Sequence, residues 1–423
     1  LELDPVRARR IVSHLASTGT PPDEGIDAFS VGLDGILGVL DDEYLAFLGH
    51  GLSAFKLVVG AYGGGKTHLL LSIRERAFRR GAAVAYLTLN PQESPFDKLE
   101  LVYRRIADRL EAPPEPGARA EAGLEAVLRA WARRWLADAE GDAKAATARA
   151  NEALAGLEST SVRNALVGAF RALLDDDEEA FSGLLLHLKA EGSEREMLRR
   201  YQVFEPIDRT TAFRTIRSLV RFLRAIGMSG LVLLVDEAER VVSLASSRNQ
   251  RAAVDNLRQF IDECGGSALE GVLLCYAVPR AELLFGSGGG AVYEALRQRV
   301  RGHFREVNPT GVTIDLERLD LPPTRFLTLL GERLAALYAQ AYEVSWQEEA
   351  LTATIGCLVE AAWERRYGDE GVRRLFVKAC LEALHRLRRD PERALSEGDA
   401  EAIVGGQAGA ALDDDPVHDD QEF

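Results

Sequence analysis

Residues 60–67 read Gly-Ala-Tyr-Gly-Gly-Gly-Lys-Thr, directly behind the apolar run Phe55-Lys56-Leu57-Val58-Val59. The pattern G-x-x-x-x-G-K-T, set between a predicted strand and a helix predicted over 68–79, is a phosphate-binding loop in its working context. Gly60, Gly63, Gly64 and Gly65 let backbone N–H groups turn inward around the phosphates of a nucleotide. The helix that His68 opens aims its N-terminal partial positive charge at the same place, so His68 joins the nucleotide-binding set. Lys66 is placed to bridge the β- and γ-phosphates, and the Thr67 hydroxyl to ligate Mg²⁺. A chance Gly-rich turn is the competing reading, and the agreement of motif with context counts against it.

A second group of reactive residues lies downstream. Leu231-Val232-Leu233-Leu234-Val235 is an unbroken apolar run, the pattern of a buried parallel strand, and it ends in Asp236-Glu237. Open α/β sheets bind ligands at the carboxyl ends of their strands. There Asp236 would hold Mg²⁺ through water, and Glu237 would orient the attacking water. Taken alone the pair could equally cap the next helix, since Asp is a good N-cap. Beside a P-loop it points to a hydrolytic ATPase.

These residues need a sheet to position them. Strands are predicted at 55–59, 84–89 (ahead of Asn90-Pro91), 231–235, 271–278 and 312–316. Residues 1–50 form an N-terminal segment with a helix over 6–15, a break at 18–22 and a helix running to about 48. Such a segment commonly lies over the adenine of a P-loop ATPase, which makes Ile11, Phe29, Val31 and Gly32 candidates for base contact, with simple packing the alternative. Residues 113–200 carry almost no strand pattern and read as a helical insertion. Its Leu124, Leu128, Trp131 and Trp135 recur at helical spacing and read as core. Asp208 is a plausible cap for a helix reaching about 226. Helices follow over 250–263 and 293–304, with the Gly/Ser run at 286–290 a linker between core elements. From Pro322-Pro323 the chain is all-helical. The domain boundaries expected are an arm at 1–50, an ATPase core at 51–321, a helical lid at 322–400 and an acidic disordered tail at 401–423.

Composition sets the outer limits. The 423 residues are 47% hydrophobic and 28% charged, enough for a large core and two or three domains. No apolar stretch is long enough to cross a membrane and no signal-peptide pattern opens the chain, so a cytoplasmic protein is expected. Cys264, Cys275, Cys357 and Cys380 are scattered without a C-x-x-C, which fits a reducing compartment and argues against a Cys-based zinc site. The net charge of −15 argues against a surface that is basic throughout. Arginines nevertheless cluster at 297–305, 365–366, 373–374 and 386–389, so any DNA contact is local.

With both nucleotide motifs placed, the chain resembles the AAA+ ATPases of the initiator clade. The phrases Gly-Gly-Gly-Lys-Thr-His-Leu-Leu (63–70), Glu205-Pro206-Ile207-Asp208-Arg209-Thr210-Thr211-Ala212 and Gly230-Leu231-Val232-Leu233-Leu234-Val235-Asp236-Glu237-Ala238-Glu239 are similar to the ATP-binding proteins of bacterial BREX phage-defence systems, the BrxD type above all. The resemblance covers most of the chain. It implies an α/β fold: a P-loop AAA+ core with a five-stranded parallel sheet, a large helical insertion before the Asp-Glu strand and a C-terminal helical lid. It also implies Mg²⁺-dependent ATP hydrolysis by a motor or switch subunit, with other subunits of a phage-defence complex and DNA as partners and a homo-oligomer as the assembly.

The resemblance carries further site residues. A polar residue near the end of the 271–278 strand should sense the γ-phosphate, and the candidates are Tyr276 and Cys275. An arginine finger is expected among Arg297, Arg299, Arg301 and Arg305, with Arg299 or Arg301 preferred; a solvated basic face is the alternative. A lid arginine is expected in Gly371-Val372-Arg373-Arg374, Arg373 before Arg374, the alternative being a salt bridge to Asp369, Glu370 or Glu382. The chain departs from initiators in leaving too little sequence after His385 for a winged helix. Two rival readings therefore stand beside the motor: an ATP-dependent DNA-binding loader, and a regulatory ATPase that binds protein partners only.

Overall fold

The computed structural model describes residues 3–89, 96–115, 118–237, 247–266, 268–284, 291–300, 302–305, 307–318, 321–365 and 372–413. Arg301, Arg366, Asp369, Glu370, Gly371, Ala238, Glu239, Asn90-Pro91, the Gly/Ser run at 286–290 and the tail from 414 lie outside them. The chain divides into two compact units, one of residues 1–35, 60–72 and 316–423, the other of residues 36–59 and 73–315.

The larger unit is built on a sheet of β1 (Ala54–Val59), β2 (Ala83–Thr88), β3 (Leu110–Glu111), β4 (Leu231–Asp236), β5 (Val272–Val278) and β6 (Thr313–Asp315), in the order β3-β2-β4-β5-β1-β6. β2–β4, β4–β5, β5–β1 and β1–β6 pair in parallel, and β3 runs antiparallel to β2. The sheet is thus six-stranded and mixed, not the five-stranded parallel sheet expected. The sixth strand is too short to leave a periodic signal. Leu110 is buried, and Glu111 is held by Arg74 Nε at 2.7 Å. β4 and β5 are buried at every position, which is why both read as unbroken apolar runs.

The helices of this unit pair an apolar stripe with a charged one. In α10 (Ala212–Ala225), Phe213, Ile216, Val220 and Leu223 are buried, while Arg214, Arg217, Arg221 and Arg224 line the other face. Arg217 reaches Glu158 at 2.7 Å and Glu263 at 3.0 Å, and Arg214 reaches Glu205 at 3.0 Å. α10 is capped by position Thr211, not Asp208. The Asp208 carboxylate instead closes the preceding turn, accepting the N–H of Thr210 at 2.8 Å and of Thr211 at 3.3 Å.

Between β3 and α10 the described chain is helical: α5 (Leu124–Asp138), α6 (Ala143–Ala153), α7 (Thr160–Leu174), α8 (Glu178–Leu188) and α9 (Arg195–Arg200). Trp131 and Trp135 are buried; the Trp131 ring lies 4.4 Å from that of Phe170 and 5.1 Å from that of Phe222. The insertion therefore shares one apolar core with α10 and the sheet. α4 (Leu99–Asp108) and α11 (Ser247–Gly265) add to that core.

One helix is shorter than its sequence suggests. α12 (Ala291–Arg299) stops before Phe304, whose N–H donates to Thr313 O at 2.8 Å. Phe304 is buried beside Tyr44 and the Lys56 ammonium, and this burial draws the chain back to the sheet edge instead of onward in a helix. β6 is likewise shorter than the predicted strand, because Leu316 begins a 3-10 turn.

The smaller unit is helical around the P-loop segment: α1 (Pro5–Thr18), α13 (Pro323–Tyr342), α14 (Glu348–Glu364), α15 (Val372–Arg389) and α16 (Glu397–Asp413). Asp4 caps α1 by accepting the Arg7 N–H, and Pro5 takes the first helical position. The tail expected from 401 is a helix as far as 413. Ala400, Ile403 and Val404, at one-turn spacing, are buried, and that apolar stripe holds α16 in place. Among the described residues no helix is long and apolar enough to cross a membrane.

Candidate nucleotide site

The P-loop belongs to the smaller unit and turns tightly on itself. The Gly64 N–H donates to Ala61 O at 2.9 Å, and a Cβ on Gly64 would stand 2.8 Å from that carbonyl. Gly65 has φ +94°, a conformation that disfavours every residue with a side chain. The buried Lys66 ammonium donates to Gly60 O at 2.8 Å and Ala61 O at 3.0 Å, and lies 5.2 Å from the centre of the Tyr62 ring. α3 (Lys66–Arg79) begins there, with Thr67 exposed. The Ala61 N–H already holds an anion, the Glu317 carboxylate at 3.0 Å. Backbone N–H groups, an ammonium and a hydroxyl at a helix start form a donor set that fits a polyphosphate.

His68 is the hub of the next shell. Its Nε2 lies 2.6 Å from Ser30 Oγ, and Phe29 meets its ring edge-on at 5.2 Å. Burial, then the Arg373 charge, push the His68 pKa down to about 4, with Asp27 acting the other way. The ring is therefore neutral at pH 7, an uncharged spacer between the N-terminal segment and the loop.

Arg373, on α15, hydrogen-bonds Gly64 O and stacks over the Phe326 ring at 4.5 Å. Burial pulls its pKa below the ordinary arginine value. Arg374 points elsewhere, donating to Thr18 O at 2.8 Å. Of the other candidates for base contact, Ile11 is buried under Gly25, Val31 is buried, and Gly32 faces Leu321 and Phe326. Ser30, Glu317 and Phe326 were not foreseen, because each is an ordinary polar or aromatic residue that only folding brings to the loop; Tyr62 lies in the loop itself, at a motif position that accepts any residue.

In the larger unit, Asp236 ends β4 with its side chain buried. Tyr86 of β2 donates its hydroxyl to Asp236 Oδ2 at 2.6 Å, and the Glu237 N–H donates to Oδ1 at 2.9 Å. A carboxylate offers hard oxygen ligands, which suits Mg²⁺. Glu237 has φ +53°, a left-handed conformation that a residue with a side chain adopts at a cost. Strand register sets the level of this pair. Val235 and Leu57 both pair with Tyr276, so Asp236 leaves β4 one residue beyond that level while β1 runs on to Val59. Tyr86 was missed because nothing in its own strand marks it. It becomes legible once β2 is known to pair with β4, two residues behind the Thr88↔Asp236 pair.

The remaining predicted residues spread out. Tyr276 is a core residue, its ring 5.5 Å from Phe96, and Cys275 is buried, which pushes its thiol up to about 12. Arg299 holds both Asp262 carboxylate oxygens and donates to Ala295 O at 2.9 Å. Arg297 pairs with Glu294 at 3.2 Å, and Arg305 is exposed in the turn that returns to β6. Arg301 lies outside the described residues. Among the described residues there is no group of His, Cys, Asp and Glu side chains able to hold a metal by themselves, so a divalent ion here would draw on nucleotide and water oxygens as well.

No curated protein and no solved structure matches this chain. The family model of the BREX system ATP-binding protein BrxC/D matches residues 4–399, nearly the whole chain, and the chain belongs to that family.

Proposed function

We propose that this chain is an AAA+ ATPase that hydrolyses ATP with Mg²⁺, as a motor or switch subunit of a BREX phage-defence complex acting on DNA in a homo-oligomer. The observation that carries the reading is that the chain holds both a G-x-x-x-x-G-K-T motif directly following β1 and a buried acid ending β4, two parallel strands of one sheet. The sheet with its insertion is the ATPase core in this reading, and α13 to α15 are the lid.

The loop N–H groups of Gly63, Gly65 and Lys66 bind and orient the phosphates around the turn that the Gly64 N–H closes, and the Lys66 ammonium moves from the loop carbonyls to the β- and γ-phosphate oxygens. Thr67 and Asp236 would hold Mg²⁺, which would supply positive charge against the phosphates. Asp236 is aimed by the Tyr86 hydroxyl, which donates to its Oδ2. The Glu237 carboxylate orients a water for in-line attack on the γ-phosphorus and accepts its proton. Arg373 closes on the phosphates from the lid side. A finger arginine, Arg299 or Arg301, comes from a neighbouring copy.

ATP hydrolysis by the purified protein, with and without duplex DNA, tests this. Lys66→Ala is expected to lose nucleotide binding. Glu237→Gln is expected to retain binding and lose turnover by a factor of about 10²–10⁴. Full turnover in Glu237→Gln would remove Glu237 from the chemistry, and turnover indifferent to DNA would favour a protein-partnered ATPase.

A further inference from the structure

We propose that the face of the smaller unit where α1 meets the C-terminal ends of α13 and α15 is a docking surface for the phosphate backbone of duplex DNA, carried by Arg9, Arg388 and Arg389 around Tyr342. The cluster lies apart from the P-loop residues and has no part in hydrolysis.

Two arginines from opposite ends of the sequence share one ring. Arg9 lies 5.0 Å and Arg388 4.6 Å from the centre of Tyr342. The ring is in turn stacked on Tyr338 at 4.4 Å, and Tyr338 hydrogen-bonds His385 Nδ1 at 2.5 Å. A guanidinium held near an aromatic face by cation–π attraction keeps N–H groups free to donate. Arg9 spends only its Nε, which donates to Ala341 O at 2.6 Å.

The arginines of this face are not tied up in salt bridges among the described residues, although Glu343 follows Tyr342 and Asp390 follows Arg389 in sequence. Arg9, Arg388 and Arg389 are exposed and make no ion pair among the described residues. Their neighbours behave differently: Arg7 and Arg10 pair with Glu24, and Arg386 pairs with Glu382 at 2.8 Å. Burial first, then the Arg388 and Arg389 charges, hold the His385 pKa below its ordinary value. In a chain of net charge −15, a basic patch whose arginines lack ion pairs among the described residues stands out from its surroundings.

The competing explanation is the helix dipole, which favours cations in the last turn of α15. It accounts for Arg386, Arg388 and Arg389 by position. It does not account for Arg9, which arrives on a different helix at the same ring. Backbone phosphate is the partner that suits a fixed fork, a second fork beside it and an exposed arginine one residue on.

The test is fluorescence anisotropy of a short labelled DNA duplex against the full-length protein over a salt series, with ATP hydrolysis measured in parallel without DNA. The double variant Arg388→Ala/Arg389→Ala is expected to weaken binding about tenfold or more at 0.1 M salt. It should also flatten the log K against log salt slope by roughly 2, one counterion per lost phosphate contact. Arg389→Glu tests the surface without touching the aromatic stack, and should weaken binding while DNA-free turnover stays at the wild-type level. No salt-sensitive binding by the wild-type protein, or equal affinity and slope in the double variant, overturns the proposal. Loss of turnover in Lys66→Ala with DNA binding intact would leave this surface standing on its own.

Discussion

Replacing Tyr86 by Phe removes one oxygen and tests what Asp236 is for. The Tyr86 hydroxyl lies 2.6 Å from Asp236 Oδ2, and the aspartate is 4% exposed. That distance falls in the charge-assisted range for O–H donated to a carboxylate, and such a bond is worth about 1.5–3 kcal/mol. Phe keeps the ring, so packing in β2 is preserved. The carboxylate would keep the Glu237 N–H at 2.9 Å and lose the hydroxyl that fixes the direction of Oδ2. If Asp236 holds Mg²⁺, the half-saturating free Mg²⁺ for ATP hydrolysis should rise about 10–100-fold, the usual cost of losing a group that orients a metal ligand. The assay is turnover at saturating ATP across a free Mg²⁺ series, with melting temperature as the companion measurement. If Asp236 serves only to cap the following segment, Tyr86→Phe lowers melting and leaves the Mg²⁺ dependence alone. A half-saturating Mg²⁺ within twofold of wild type would refute the metal role argued here.

Glu237→Gly should release the cost of a left-handed residue with a side chain, about 1 kcal/mol, partly offset by the entropy of glycine in the unfolded chain. Melting should hold or rise while turnover is lost; a fall in stability beyond about 1 kcal/mol in urea unfolding would count against a stored strain at this residue. The buried His187, whose Nε2 has no hydrogen-bond partner among the described residues, has its pKa pushed down to about 4 by burial. The unfolded ring protonates near pH 6.5 while the folded one stays neutral, so the unfolded state binds more protons between those values and stability falls as pH drops through that window, by on the order of 3 kcal/mol in all. His187→Leu should lose less stability than wild type between pH 7 and pH 5 in urea midpoints, and equal losses would place the acid sensitivity elsewhere.

What could be read from sequence was local or periodic. The P-loop is contiguous, and apolar runs such as Leu231–Val235 have length and bounds that mark a buried strand. The helical insertion followed from spacing, and Trp131 and Trp135 lie in the core as that spacing implied. What escaped has a common cause, that partners distant in sequence decide it. β3 is two residues stabilised by pairing with β2 and by Arg74. Phe304 leaves its helical pattern because the Tyr44 and Lys56 side chains offer it a buried place. α16 persists to 413 because Ile403 and Val404 find an apolar surface that composition, dominated there by Gly, Ala and Asp, does not advertise. Tyr86 and Ser30 gain their meaning from the residue each touches, and neither touch is visible before the register of the sheet and the path of the N-terminal segment are fixed.

The arginines after β5 show how far such contacts constrain a role. Arg299 has its fork on Asp262 and its remaining nitrogen on Ala295 O, so each of its three nitrogens already donates within its own protomer. That does not disqualify it as a finger. Both side chains are about one-third to one-half exposed, 34% and 46%, and an exposed pair of this kind contributes only about 0.2–1 kcal/mol. In the proposed assembly a triphosphate would carry more charge than one carboxylate and would offer two oxygens of a tetrahedral phosphate to the same fork, so it would displace Asp262. Under the proposed function Asp262 would then act as a resting place that keeps Arg299 extended and oriented between turnovers. Arg305, exposed and in no ion pair among the described residues, has no such holder and must order its side chain on each engagement, at a cost of up to about 2 kcal/mol in rotamer entropy. A parked fork that exchanges one anion for another is therefore the better finger of the two, and the ion pair that looks at first like a competing assignment is part of the reason.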